Sequence, residues 1–89
     1  MAAAKIRSEV GVGNNWREFA AGTVNLLSAG PPETLGYCAR RLVPKAAGSF
    51  TACVDSAGND EQINNFAAGF VHEAHTQSVV SDVAFVAYW

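Results

Sequence analysis

The sequence predicts an all-β fold, a small antiparallel β-sandwich or barrel with an extended N-terminal arm. Short segments of alternating apolar and polar residues follow one another along the chain. Clusters of glycine, proline and asparagine separate them at the spacing typical of such folds. The final segment, residues 81–89, is apolar on both faces, as in a strand covered on both sides. With 89 residues the chain makes one domain, which we place at residues 23–89.

Residues 1–22 are predicted to be an arm, because glycine interrupts every regular pattern there. Gly11 and Gly13 are poor residues in helices and strands alike. Trp16 and Phe19 follow on a segment with few apolar neighbours. Such rings either lie on the surface of another molecule or fold back onto their own core. Both alternatives stay open.

The strand candidates carry their apolar residues at alternate positions. Residues 23–28 form the first candidate, and the prolines that follow end it, since proline cannot continue a ladder. Residues 36–44 alternate next, with Ala39 and Arg41 on the same face. Residues 49–55 and 81–89 follow the same rule, and Gly58 is expected to supply a positive φ in the hairpin turn after the former. In the first of these two strands Phe50, Ala52 and Val54 share one face. In the second, Val83, Phe85, Ala87 and Trp89 share one face, and Ala84, Val86 and Tyr88 share the other.

The segment at about residues 60–75 supports two predictions. Its apolar residues recur at the period of an amphipathic helix: Ile63, Phe66, Ala67, Phe70, Val71 and Ala74. Asn59 and Gln62 would form its capping box, which gives an α+β alternative with one helix. The other prediction is a strand at residues 61–66, a turn, and a long strand at residues 70–80. Asn64, Asn65, Gly69 and Val71 count against the helix, since glycine alone destabilises a helix interior by up to about 1 kcal/mol. The pattern by itself still favours the helix slightly.

Composition and charge exclude several classes of function. The net charge is −2, and the six Lys and Arg residues form no basic stripe, so no nucleic-acid partner is expected. No apolar run approaches the roughly 20 residues that cross a bilayer, so no membrane association is expected. The first residues lack the apolar core of a signal peptide. We therefore expect the protein to stay in the cytosol or to leave inside a larger assembly.

The motif His72-Glu73-Ala74-His75 is the closest approach to a catalytic pattern. Zinc hydrolases carry His-Glu-x-x-His on a helix, where both imidazoles share one face. Here the second histidine comes one residue early, and Thr76 occupies its place. On a strand, His72 and His75 would point to opposite faces. We therefore predict no metal, no cofactor and no catalytic residue, and we expect both histidines at the surface or at an interface.

Cys38 and Cys53 are predicted to be reduced, buried and inert. Two cysteines without a Cys-x-x-Cys pair are too few for a disulfide scaffold, and their spacing is wrong for structural zinc. Neither lies beside a cationic cluster that would activate a thiol. One bridge between adjacent strands stays open as an alternative.

Residues 38–89 carry a series of features that belong together. The first is a strand at "ARRLVP", followed by a hairpin at "AAGSFTACVDSAGN" and a short strand that ends at "NFAAG". A longer strand at "FVHEAHTQSVV" and a final apolar strand at "VAFVAYW" come last. This order resembles the small β domains of phage head-spike base proteins and similar virion decoration modules. The corner Asp55 to Gly58 is two residues longer than the Asp-Gly corner of that family. His72 and His75 also replace the aliphatic and basic residues usual there.

The resemblance implies strands rather than a helix at residues 60–75, and a structural role. We therefore expect a bacteriophage virion protein, assembled in the host cytoplasm, with itself and other virion proteins as partners and with no enzyme activity. The alternative is a small β-barrel module that binds a carbohydrate or a protein. The rings near the two ends of the chain are the predicted contact residues: Trp16, Phe19, Tyr88 and Trp89.

Overall fold

The computed structural model describes residues 15–55 and 57–89 of the chain. Within these ranges the chain forms eight strands, one short helix and one 3-10 turn. The all-β prediction is confirmed. The elements are β1 (Trp16–Phe19), β2 (Gly22–Asn25), α1 (Leu26–Ala29), the 3-10 turn (Pro32–Thr34), β3 (Ala39–Pro44), β4 (Gly48–Cys53), β5 (Asp60–Phe66), β6 (His72–Thr76), β7 (Ser78–Ser81) and β8 (Phe85–Tyr88).

The strands form two antiparallel four-stranded sheets. Sheet A has the order β1-β8-β3-β6, and sheet B has the order β2-β7-β4-β5. Four ladders join β1 to β8, β2 to β7, β3 to β6 and β4 to β5. This is the pairing of one long antiparallel hairpin wound into two sheets, which is the topology of a jelly roll.

The core lies between the inner faces of the two sheets. The faces that alternation groups in β4 and β8 turn inward, because Phe50, Ala52, Phe85, Ala87 and Trp89 are all buried, while Val54 and Val83 are half-buried. Alanine at several central positions leaves room for the large rings. The buried hydrophobic residues of this core are Leu26, Ala39, Leu42, Phe50, Ala52, Phe66, Val79, Phe85, Ala87 and Trp89.

The predicted boundary between arm and domain is wrong, because the domain begins before residue 23. Trp16 pairs with Tyr88, and Phe19 pairs with Phe85, so β1 is an integral strand of sheet A. Residues 1–14 of the predicted arm lie outside the described residues. The sequence pattern missed β1 because only one of its side chains, Phe19, packs against the core.

The strand predicted at residues 23–28 ends early, at Asn25. The side chain of Asn25 accepts a hydrogen bond from the backbone N–H of Leu27 at 3.1 Å, which caps α1. One helical turn then carries Leu26 into the core. A short strand followed by one helical turn thus replaces the single strand that was predicted.

The α+β alternative is wrong, because β5 and β6 occupy the segment assigned to the helix. Phe50 pairs with Ile63 and Gly48 with Phe66, so β5 holds one residue more than β4 between these pairs. This bulge includes Asn65 at φ 60°. The extra residue lets Ile63 and Phe66 both pack against the core at a spacing of three. The bulge therefore gives Ile63 and Phe66 the spacing that is typical of a helix.

The long strand predicted at residues 70–80 is two strands, one in each sheet. Gln77 separates them, and its backbone N–H donates to the carbonyl of Cys53 at 2.8 Å. Its own carbonyl accepts from the N–H of Leu26 at 2.8 Å. The chain thus passes from sheet A to sheet B at this residue, because Thr76 pairs with Ala39 and Ser78 pairs with Asn25.

A second bulge changes the face assignment predicted for residues 36–44. The register between β3 and β6 shifts between Ala39 and Arg41. Ala39 and Leu42 are buried, and Arg40 and Arg41 are both exposed. Ala39 and Arg41 therefore do not share a face, contrary to the strict alternation expected.

The corner between β4 and β5 is built around the Asp55 carboxylate. Its oxygens accept hydrogen bonds from the Asn59 side chain at 2.7 Å and from the N–H groups of Ala57 and Asn59 at 2.9 and 3.2 Å. These bonds, the Asn59 side chain foremost, lower the pKa of Asp55. Gly58 has φ 87°, as predicted for this turn.

Trp89 joins three parts of the sandwich from a position with no exposed surface. Its indole N–H donates to the carbonyls of Leu26 at 3.1 Å and Tyr37 at 3.2 Å. Its backbone N–H donates to the carbonyl of Asn15 at 2.8 Å. A Cβ on Gly30 would lie 2.7 Å from the indole, so only glycine permits this approach.

Trp89→Ala is expected to lower the free energy of unfolding by about 3–5 kcal/mol, because it leaves a cavity and two unpaired carbonyls. Trp89→Phe keeps most of the ring and is expected to lower it by about 1–3 kcal/mol. Trp16→Ala is the matched control, with a loss of about 1 kcal/mol or less. Urea denaturation followed by circular dichroism measures all three. Equal losses of unfolding free energy for Trp89→Ala and Trp16→Ala would contradict the role of Trp89 in joining these parts of the sandwich.

Candidate interaction surface

One row of side chains crosses the outer face of sheet A. The register pairs Trp16 with Tyr88, Tyr88 with Arg41, and Arg41 with Glu73. Paired residues in an antiparallel ladder point to the same face. We call Trp16, Tyr88, Arg41 and Glu73 the outer row.

Arg41 connects the two halves of the outer row. Its guanidinium carbon lies 5.5 Å from the centre of the Tyr88 ring. Its Nη2 lies 2.9 Å from Glu73 Oε2, and its Nε donates to the same oxygen at 3.0 Å. Exposed ion pairs and cation–π contacts contribute about 1 kcal/mol or less each. Their main effect is therefore to hold the Tyr88 and Arg41 side chains in fixed positions.

A second row beside it is apolar at the centre and charged at one end. The register pairs Glu18 with Val86, and Val86 with Val43. Lys45 Nζ lies 3.2 Å from Glu18 Oε1. The outer face thus has aromatic and aliphatic side chains at its centre. It also carries two ion pairs, Arg41 with Glu73 and Lys45 with Glu18, both formed within the chain.

The predicted contact residues divide into two groups. Trp16 is 44% exposed and lies beside Tyr88 in the outer row. Phe19 packs inward, with its ring centre 5.3 Å from that of Phe85. Trp89 exposes no surface in this fold, so its ring offers nothing to a partner. Contact by Trp16 and Tyr88 stays a prediction, and the proposals below do not use Phe19 or Trp89.

The two histidines face opposite sides of β6, as the strand prediction expected. His75 is exposed, but His72 is buried at 6% exposure, so its predicted surface position is wrong. Its ring meets that of Phe50 edge-on at 5.4 Å between centres. His72 Nε2 has no hydrogen-bond partner within the described residues and lies 3.9 Å from Glu61 Oε1. His72 pairs with Leu42 in the ladder, and this register turns it inward.

Among residues 15–55 and 57–89, no group of three or more His, Cys, Asp or Glu residues is placed to hold a metal ion. Cys38 and Cys53 are free thiols, and both are half-buried rather than fully buried. Burial raises the pKa of the Cys38 thiol. The Cys53 thiol donates to the carbonyl of Asp55 at 3.0 Å.

Sequence reasoning missed Arg41 and Glu73 as members of the outer row. Alternation predicts which residues of one strand share a face, but pairing between strands depends on register. The register of β3 against β6 shifts between Ala39 and Arg41, and no local pattern in the sequence indicates this shift. The adjacent arginines at positions 40 and 41 were the only available signal, since strict alternation would turn one of the two inward.

Comparisons with models of protein families, with curated proteins and with solved structures found no match. In the part of the chain that the structure describes, no helix has the length and apolar character needed to span a membrane.

His72→Leu is expected to leave the free energy of unfolding unchanged or to raise it by about 1 kcal/mol. The substitution removes a buried nitrogen that has no hydrogen-bond partner among the described residues and replaces it with apolar surface. His75→Leu, on the exposed face of the same strand, is the control and should change stability by about 0.5 kcal/mol or less. Thermal and urea unfolding of the two variants provide the measurement. A loss above about 1 kcal/mol for His72→Leu alone would show that the imidazole has a stabilising partner.

Proposed function

We propose that the chain is a structural subunit of a bacteriophage virion, such as a capsid decoration protein or the base of a head fibre or spike. It works by homo-oligomeric assembly and by contact with other virion proteins. The observation that carries this proposal is the jelly-roll pairing of the strands. Jelly rolls form viral capsid domains, although lectins and cupins share the topology. The fold supports the proposal by analogy, and the surface described above supports it independently.

The outer face of sheet A supports assembly because one side of β8 lacks a cover. The pattern of residues 81–89 is apolar on both faces, which is typical of a strand that is buried on both sides. The inner side packs in the core, whereas Val86 and Tyr88 on the outer side stay only half-buried in the single chain. A partner on this face would complete the burial that the sequence pattern implies.

The charges on this face also suit a buried contact. Arg41 is paired with Glu73, and Lys45 with Glu18, within the same subunit. Burying an unpaired charge is strongly unfavourable, but a charge that already has its partner removes part of that penalty. A partner could therefore cover the face without having to supply a counter-ion for these four groups.

The edges of the sheets are less suited to contact between identical chains. β1 is an edge strand, and a two-fold pairing with β1 of a second copy would centre on Arg17 or Glu18. Either register places like charges directly opposite each other, which is unfavourable. β5 is the edge strand of sheet B, and its Glu61 points inward because it pairs with the inward-facing Ala52. An inward-pointing charge on an edge strand also opposes pairing with another chain. Assembly in our proposal therefore uses a face.

The proposal assigns no catalytic residue and no cofactor. Closed symmetry allows one patch to serve every subunit, so the outer row would recur at each contact. The particle would be assembled in the host cytoplasm. Genes for portal, capsid or tail proteins are expected beside the gene for this chain.

Tyr88→Ala is expected to shift the protein from a closed oligomer to a monomer, because it removes the ring at the centre of the outer row. Size-exclusion chromatography with light scattering, over a range of protein concentrations, measures the mass. Leu35→Ala is the matched control, because Leu35 is 57% exposed but does not belong to the outer row. Circular dichroism checks that both variants are folded.

A wild-type protein that stays monomeric at every concentration would contradict assembly of the chain with itself. An oligomer that Tyr88→Ala and Leu35→Ala leave equally intact would contradict the choice of surface.

A further inference from the structure

A groove runs beside β1 at the edge of sheet A, on the side away from β8. It has a volume of about 710 Å³ and is open to solvent. Three consecutive residues of β1 form one wall, and the segment that begins the 3-10 turn forms the other. We call it the edge groove, and its lining is Trp16, Arg17, Glu18, Pro31, Pro32 and Glu33.

Both walls of the edge groove are held in place by the fold. β1 pairs with β8 along its whole length. In the opposite wall, the Thr34 hydroxyl donates to the Pro31 carbonyl at 2.7 Å, and Thr34 is 1% exposed. The N–H of Gly36 donates to the Leu27 carbonyl at 2.6 Å, which ties the turn to α1. The backbone of both walls is therefore fixed before a ligand binds, and a ligand would spend little free energy on ordering it.

The chemistry of the lining suits a ligand with an apolar face and several hydroxyl groups. Trp16 is 44% exposed, and the face of its indole attracts the slightly positive hydrogens of C–H groups. The Glu33 carboxylate accepts hydrogen bonds from hydroxyl groups. Glu18 is already paired with Lys45, whereas Glu33 has no ion-pair partner among the described residues. A sugar ring offers this combination of C–H face and hydroxyl rim.

Other ligand classes fit the same lining less well. Glu18 is paired with Lys45, and the Glu33 carboxylate offsets the charge of Arg17, so the lining has no net positive charge to attract a phosphate or another anion. A peptide strand added to β1 would meet Pro31 and Pro32 on its other side, and Pro32 has no N–H to offer. Arg17 pairs with the inward-facing Ala87, so it points inward on this edge strand, a feature that discourages strand addition.

We propose that the edge groove is a carbohydrate-binding site, in which Trp16 stacks on a sugar ring and Glu33 hydrogen-bonds to its hydroxyl groups. This site goes beyond the assembly role and does not depend on it. Trp16 belongs to both surfaces, but Glu33 lies only in the groove and Tyr88 only in the outer row. Variants at Glu33 and Tyr88 therefore separate the two proposals.

The test is a titration of the full chain with maltotriose, cellotriose and the trimer of N-acetylglucosamine. Backbone amide shifts in NMR spectra locate the binding, and tryptophan emission follows it. Trp16 dominates any change in emission, because Trp89 is fully buried. At least one trisaccharide is expected to bind with a dissociation constant of about 1 mM or tighter, with shifts centred on Trp16, Arg17 and Glu33.

Four single-residue variants test which side chains bind the sugar. Trp16→Ala is expected to abolish binding, and Glu33→Gln to weaken it at least about threefold, since a carboxylate accepts stronger hydrogen bonds than an amide. Leu35→Ala is expected to keep the wild-type affinity, and Glu33→Gln to keep the wild-type oligomer mass. Tyr88→Ala is expected to bind the sugar at least as tightly as wild type, because its monomer leaves Trp16 uncovered. The proposal is overturned if no trisaccharide gives saturable shifts in the groove, or if Glu33→Gln binds as wild type does. Saturable binding of a proline-rich peptide there, in place of all three sugars, would overturn it too.

Discussion

The burial of Trp89 is the interaction on which the rest of the structure depends. Its indole N–H satisfies the carbonyls of Leu26 and Tyr37, which lie on two segments that leave the sheets. Its backbone N–H donates a hydrogen bond to the carbonyl of Asn15, the residue before β1. In a chain of this size the core is small, and the net stability of such domains is only about 5–15 kcal/mol. One well-packed ring that joins the first and last strands therefore decides whether the wound hairpin stays closed.

The closed sandwich in turn determines which surfaces are available. With Trp89 and Phe19 turned inward, the aromatic residues left on the outer face of sheet A are Trp16 and Tyr88. Trp16 stands at the corner between that face and the edge groove. The same ring thus contributes to the proposed contact between subunits and to the proposed sugar site. A subunit that assembles through one side of this corner keeps Glu33, on the other wall of the groove, away from the contact.

Alternation predicted which residues of β4 and β8 share a face, because those strands are regular where they meet the core. The same reasoning failed where the ladder is irregular. The bulge at Asn65 placed Ile63 and Phe66 at a helical spacing. Where the register between β3 and β6 shifts, Arg40 and Arg41 are both exposed. Register between strands is a property of the whole sheet, so neither the outer row nor the groove beside β1 could be predicted from local patterns. The aromatic content near both ends did point to Trp16 as a contact residue.

Native-state hydrogen exchange tests the central claim most directly. If Trp89 closes the sandwich, its indole N–H and its backbone N–H exchange only when the whole domain unfolds. Their opening free energy then equals that of the amides in the central strands β8 and β3, and falls in parallel with them as denaturant is added. Exchange of Trp89 at a lower opening free energy, by local fraying while β8 and β3 stay protected, would contradict the account.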